Sequence, residues 1–284
     1  MKLFEDASLD DILDNHTYYR QSLAEESVLV FKHLNFPAIE HAMSLPENAP
    51  GRYPHLMLMW SFFCDYDFMD ESKRPWFDYP VGVSVGQYHA FLEARSTPPK
   101  EYGIDEIVGN WHKDHYHYPD PTSVIAMSMH TFTCGPGIGD TVIVKLADAY
   151  DDCPESILDY LQGRSYIYTD VCGCNDPPLS AEHPALATHP VTGRTSLCYP
   201  GRDGGGNLAC VPSDGSVDQW QEYEDWMWEY VNAPENQFRI EWEEGDFAIW
   251  DNRSCIHNYF GGWEAAERVF DRLCIGHEMP RCEA

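Results

Sequence analysis

From residue 110 onward the chain is a succession of short apolar, β-branched and aromatic segments punctuated by Gly, Pro, Asn and Asp, and this pattern constrains the fold more than any other feature. Residues 123–130 alternate in hydrophobicity, 141–145 follow a tight turn at 135–140, and 163–168, 195–199, 238–242, 246–250 and 268–275 read as further strands. Many short strands with turn signals between them predict a closed or sandwiched antiparallel sheet. Helical spacing appears over 9–23, 147–161 and 218–231. The last carries Trp220, Trp226, Met227, Trp228 and Tyr230, an aromatic stripe suited to a helix packed on the core. Residues 170–187 and 201–215 are expected to be long irregular loops.

The first third is less regular. A buried strand is expected over 27–31, a second helix from 37 to 43, a Pro-rich connector over 46–54, a short strand at 81–85, a helix at 87–94 and a loop over 96–100. With 284 residues the chain is long enough for one large domain or two small ones. It is read as a single domain over 1–284, with a mixed N-terminal part (1–105) and a β-rich core (106–284).

Acidic residues outnumber basic ones 47 to 18, a formal charge of −29. A surface of that sign repels nucleic acid and anionic membranes, so neither is expected as a partner. No apolar run approaches the roughly 18 residues that span a bilayer, and the acidic start lacks a signal peptide's apolar core, so a cytoplasmic location is expected. The 10 cysteines are accordingly expected as reduced thiols, Cys172 and Cys174 included. Self-association into a homo-oligomer is left open.

Asn110-Trp111-His112-Lys113-Asp114 supplies a His and an Asp one residue apart. On a strand, positions i and i+2 share a face, so the two side chains could reach one ion while Lys113 points away. His-x-Asp alone is weak in a chain with 13 His. Trp250-Asp251-Asn252-Arg253-Ser254-Cys255-Ile256-His257 adds a second imidazole. Two imidazoles and one carboxylate are the ligand set that holds Fe(II) on one face and leaves the other face open. Arg268 follows His257 by eleven residues and Arg272 by four more; Arg suits bidentate capture of a carboxylate. A zinc hydrolase, a cupin-type isomerase and a non-catalytic metal-binding protein use similar ligands, and dependence on an oxo-acid would separate them.

These pieces, with Gly139-Asp140-Thr141 and His189-Pro190-Val191-Thr192-Gly193-Arg194 between them, occur in the order found in the taurine dioxygenase-like family of Fe(II)/2-oxoglutarate-dependent oxygenases, which the chain resembles from about residue 110 to 275. The resemblance implies a mainly β fold with flanking helices, a double-stranded β-helix (jelly roll). It implies Fe(II) held by His112, Asp114 and His257, and 2-oxoglutarate as cosubstrate bound by Arg268 with help from Thr141. It also implies O2 as the oxidant, and Arg272, with Asn110, facing the substrate. The expected reaction is hydroxylation of an unactivated C–H bond of a small, carboxylate- or amino-acid-like metabolite, with release of succinate and CO2. Desaturation and oxidative cyclisation use the same cofactors. Asp114 argues against halogenation, which needs a small residue there to admit chloride.

Overall fold

The computed structural model describes residues 1–35, 107–119, 121–170, 177–199, 201, 208–216, 218–263 and 267–277. The elements expected between residues 37 and 100, and Cys172 and Cys174, lie outside them.

The described chain begins with β1 (Lys2–Phe4), α1 (Leu9–Asp14), α2 (His16–Glu26) and β2 (Val28–Phe31). It resumes at β3 (Ile107–His112), β4 (Thr122–Phe132) and β5 (Thr141–Lys145), followed by α3 (Leu146–Asp152) and α4 (Glu155–Leu161). Then come β6 (Ser165–Asp170), β7 (Ser180–Pro184), β8 (Leu186–Thr188), β9 (Thr195–Leu197) and β10 (Leu208–Pro212). The long helix α5 (Asp218–Asn232) leads into β11 (Gln237–Ile240), β12 (Phe247–Asp251), β13 (Cys255–Phe260) and β14 (Arg268–His277).

Two sheets form the body. One has the order β1-β2-β12-β4-β14, the other β11-β5-β13-β3. Sequence-distant strands lie side by side in both, as a jelly roll requires, and all pairings are antiparallel except β1 with β2. Val28 and Val30, Ile125, Met127 and Met129, and Ala248 and Trp250 from the first sheet meet Ile143, Ile240 and Cys255 from the second in one buried cluster. The opposite face of the second sheet is also covered. Val142, Val144 and Ile256 pack there against Leu146, Ile157, Leu161, Tyr223, Met227 and Val231 of the helices. Burial on both faces explains why Val142-Ile143-Val144 within β5 reads as an unbroken apolar run rather than an alternating one. The aromatic stripe of α5 is core, as expected: Trp220 and Met227 are buried, with Trp226, Trp228 and Tyr230 packed against them.

Four expectations need correction. The helix over 9–23 is two helices, because the Asn15 side chain turns back to the Asp11 carbonyl at 3.0 Å and caps the first. The helix over 147–161 is broken at Cys153-Pro154, where Pro cannot continue the helical ladder. The loop over 170–187 contains β7 and β8, and the loop over 201–215 contains β10. Strands β7 and β10 flank β6 in a separate three-stranded sheet, where pairing supplies what their composition does not. Among the described residues no helix is long and apolar enough to cross a membrane.

Candidate metal centre

Strands β3 and β13 run antiparallel with His112 directly opposite His257. Opposed residues share a face of the sheet. The two rings accordingly lie 4.2 Å apart between centroids, on the sandwich side, where Trp250 also packs on His257 at 5.1 Å. A bulge follows His257 in the same pairing.

Asp114 reaches the pair by another route than expected. Strand β3 ends at His112, and Asp114 sits in the turn that follows, so the shared face of a strand does not bring the two together. The turn does so instead: the carboxylate lies 4.0 Å from His112 Nε2 and 3.6 Å from His257 Nε2. One ligand atom from each of the three residues falls within 4.8 Å of the others. Lys113 does point away, as expected, and is buried: its Nζ donates to the Arg253 carbonyl at 2.9 Å and lies 4.3 Å from the centre of the Tyr116 ring.

The protonation states suit a cation. Burial opposes ionisation of Asp114, but Arg272, His257 and His112 outweigh it and hold the carboxyl well below the usual carboxylate range. Burial, reinforced by His112, holds the His257 imidazole well below its ordinary value, so it stays neutral with a lone pair to give. Asp114 Oδ2 is buried with no hydrogen-bond partner among the described residues, as is His257 Nδ1. Two imidazoles, the one of His257 neutral, and one carboxylate, with a buried oxygen that a cation would satisfy, fit Fe(II).

A second group lies along β14. Arg268 and Arg272 are four residues apart on that strand, hence on one face, with Phe270 between them. Arg268 is 6 % exposed, packs 4.5 Å from the Phe270 ring and 5.1 Å from the Trp263 ring, and donates to Thr141 Oγ1 at 3.3 Å. The same hydroxyl accepts from Trp242 Nε1 at 3.0 Å. Asp140 anchors this corner by accepting from Arg239 at 2.7 Å and from the Trp242 amide at 3.3 Å. Gly139, at φ +73°, leaves room for it: an added Cβ would stand 3.1 Å from Arg268 Cδ. Arg272 forms an ion pair with Asp114, which places it at the ligand cluster. The strand carrying Asn110 belongs to the same sheet as His257, but its side chain lies outside the described residues.

The sequence alone did not single out the residues that hold this centre from behind. His189 Nδ1 accepts from the amides of Val191 and Thr192, both at 3.2 Å, so its proton sits on Nε2 and is donated to Asp251 at 2.8 Å. Asp251 also accepts from Arg253, and despite its burial Arg253 and His189 hold it well below the usual carboxylate range. The only signal was the position of these residues in the two motifs that flank the ligands.

The model of the taurine catabolism dioxygenase TauD, TfdA family matches residues 76–273. An alkylsulfatase from Acinetobacter baylyi is 26 % identical over 160 residues, 50 % of this chain and 49 % of that protein. An alpha-ketoglutarate-dependent sulfate ester dioxygenase from Pseudomonas putida is 26 % identical over 161 residues, 50 % of this chain and 52 % of that protein. The chain thus spans about half the length of the curated relatives it matches. The crystal structure of AAD-2 in complex with Mn(II) and N-oxalylglycine is similar in fold, with a TM-score of 0.66 at 15 % identity, over 99 % of this chain and 95 % of that one. The family is one of Fe(II)- and 2-oxoglutarate-dependent dioxygenases that use O2, a cofactor set that the ligand cluster fits. With a match across most of its length and the expected ligands gathered at one point, the chain belongs to the taurine catabolism dioxygenase TauD, TfdA family.

Proposed function

We propose that the chain is a single-domain Fe(II)- and 2-oxoglutarate-dependent dioxygenase that oxidises, most simply by hydroxylation, a C–H bond of a small anionic metabolite. The observation that carries this reading is the meeting of His112, Asp114 and His257 at one point, on the face toward which Arg272 also reaches. With O2 as the oxidant, Fe(II) and 2-oxoglutarate bound there would supply the oxidative decarboxylation that yields succinate and CO2, one oxygen atom of O2 entering succinate and the other going to the substrate's C–H bond.

The chain's own residues bind and orient. His112 and His257 offer imidazole nitrogens, that of His257 neutral, and Asp114 an ionised oxygen, which hold the ion from one side. Arg268 holds the distal carboxylate of 2-oxoglutarate in a buried site, where a charge-assisted bond is strong. Thr141 assists in a definite sense. Its oxygen already accepts from Trp242 and Arg268, so its own hydrogen is available to donate to that carboxylate. Trp250 and Phe270 exclude water around these polar groups.

Arg272 takes the substrate's anionic group. Relatives named as acting on sulfate esters and on 2,4-dichlorophenoxyacetate favour an anionic substrate of this kind. A second reading is favoured by the ion pair with Asp114: Arg272 serves to balance the ligand's charge. A succinate-release screen over alkyl sulfates, sulfonates, aryloxyacetates and amino acids separates them. Turnover lost in Arg272→Met for anionic substrates, with Fe(II) binding retained, supports substrate capture. The absence of 2-oxoglutarate-dependent succinate from wild type with every compound, or its persistence in His257→Ala, refutes the dioxygenase reading.

A further inference from the structure

Asp114 is the ligand that no strand holds. The ladder between β3 and β13 includes His112 and His257 but stops before Asp114. The next residue, His115, has φ +64°, a left-handed conformation that turns the chain sharply away. A metal-binding carboxylate on a turn is as well placed as the contacts that fix the turn's backbone.

Those contacts come mainly from one side chain. Asn252 Oδ1 accepts from the Asp114 amide at 3.2 Å, and Nδ2 donates to the Asp114 carbonyl at 3.1 Å and to the Thr122 carbonyl at 2.7 Å. Bonding to both the N–H and the C=O of one residue is what a neighbouring strand does; here a carboxamide takes that place. The donors and acceptors fix which end of the amide is which, since Oδ1 meets an N–H and Nδ2 meets two carbonyls. Asn252 is 0 % exposed, so its role is exerted through Asp114 and not on a ligand. Lys113 adds a tie to the same loop through the Arg253 carbonyl.

The loop that carries Asn252 is itself held firmly. Asp251 accepts from Arg253 and from His189, the Asn252 amide donates to the Ser123 carbonyl at 2.9 Å, and the Leu146 amide donates to the Ser254 carbonyl at 2.7 Å. Three residues beyond Ser254 the chain reaches His257. One short segment therefore delivers one ligand directly and grips the backbone of another.

We propose that Asn252 is a positioning residue for the metal centre, its carboxamide setting the Asp114 peptide so that the carboxylate faces His112 and His257. This rests on the reading of those three residues as metal ligands. The test uses Co(II), a redox-stable probe, titrated into metal-free wild type, His257→Ala, Asn252→Ala and Asn252→Ser, with circular dichroism and melting of the metal-free proteins alongside. Wild type should bind one Co(II) and His257→Ala should lose it; failure of either removes the metal reading itself. With both satisfied, the Asn252 variants should keep the wild-type fold at 25 °C, bind Co(II) about 10–100-fold more weakly and show an altered Co(II) absorption spectrum, with Ser between Ala and wild type. Folded variants with a Co(II) affinity within about threefold of wild type and an unchanged spectrum would overturn the proposal, whatever their melting temperature. Loss of the fold in both would also overturn it, since the amide would then hold the sandwich together rather than the ligand.

Discussion

Replacing Arg268 tests the proposed cosubstrate site directly. Its guanidinium is buried, lies between Phe270 and Trp263 and touches Thr141, so its charge and its planar fork act away from bulk water. Arg268→Lys keeps the charge but replaces a two-pronged contact by a single point, the loss of one charge-assisted hydrogen bond, about 1.5–3 kcal/mol. That corresponds to roughly 10–150-fold weaker binding of 2-oxoglutarate. Arg268→Met keeps the packing against the aromatic rings and removes the charge, leaving a buried carboxylate without its partner, at about 2–5 kcal/mol. The assay is anaerobic titration of the Fe(II)-loaded protein with 2-oxoglutarate, by absorbance or calorimetry, with Fe(II) affinity and melting temperature as controls. The expected order is wild type, then Lys, then Met, with Fe(II) affinity nearly constant. If both variants bind 2-oxoglutarate within about threefold of wild type, the distal carboxylate is held elsewhere and the role given to β14 is wrong.

Three further outcomes are expected. Trp242→Phe keeps the buried ring but deletes the N–H that meets Thr141 Oγ1; the loss of about 1 kcal/mol should raise KM for 2-oxoglutarate roughly fivefold at nearly constant kcat, and an unchanged KM would contradict it. Gly139→Ala forces a side chain into a left-handed position at φ +73° and against Arg268; a loss of about 1–2 kcal/mol in chemical denaturation, with a raised KM for 2-oxoglutarate, should follow, and wild-type values of both would refute the steric reasoning. Burial pushes His183 below its ordinary pKa, while its Nε2 donates to the Tyr116 carbonyl at 2.8 Å. An unfolded His of pKa about 6.5 takes a proton that the folded one refuses, so this contribution is complete above that pH and is lost as the pH falls below it. Urea denaturation at pH 7.5 and 5.5 should show a smaller acid penalty for His183→Gln than for wild type; an equal penalty would count against it.

That His112, Asp114 and His257 come together was legible because the motifs that carry them occur in the order of the family the chain resembles, and the three do meet at one point. The means of convergence was not legible. An i, i+2 pair is equally compatible with a strand and with a strand end entering a turn, and the turn is the one found. Strand β5 of the second sheet was visible as an apolar run because both of its faces are buried, whereas β7 and β10 hid among Pro, Cys and Gly and owe their form to β6 between them. The break at Pro154 follows from Pro chemistry, but helical periodicity continues on either side of it and masks it in the sequence. Asn252 and Trp242 had no local signal, since their partners lie 138 and 101 residues away in sequence.

The direct opposition of His112 and His257 on neighbouring strands has a consequence for how such a chain can vary. Their separation is fixed by the spacing of two strands, not by the long stretch of polypeptide between them. Insertions and deletions in the loops of that stretch can reshape the surroundings of the site without moving either imidazole. What the arrangement does not tolerate is a slip of one residue between the two strands, which would carry one imidazole to the helical side of the sheet; the irregularity just past His257 marks the register at the point where an error would do most harm.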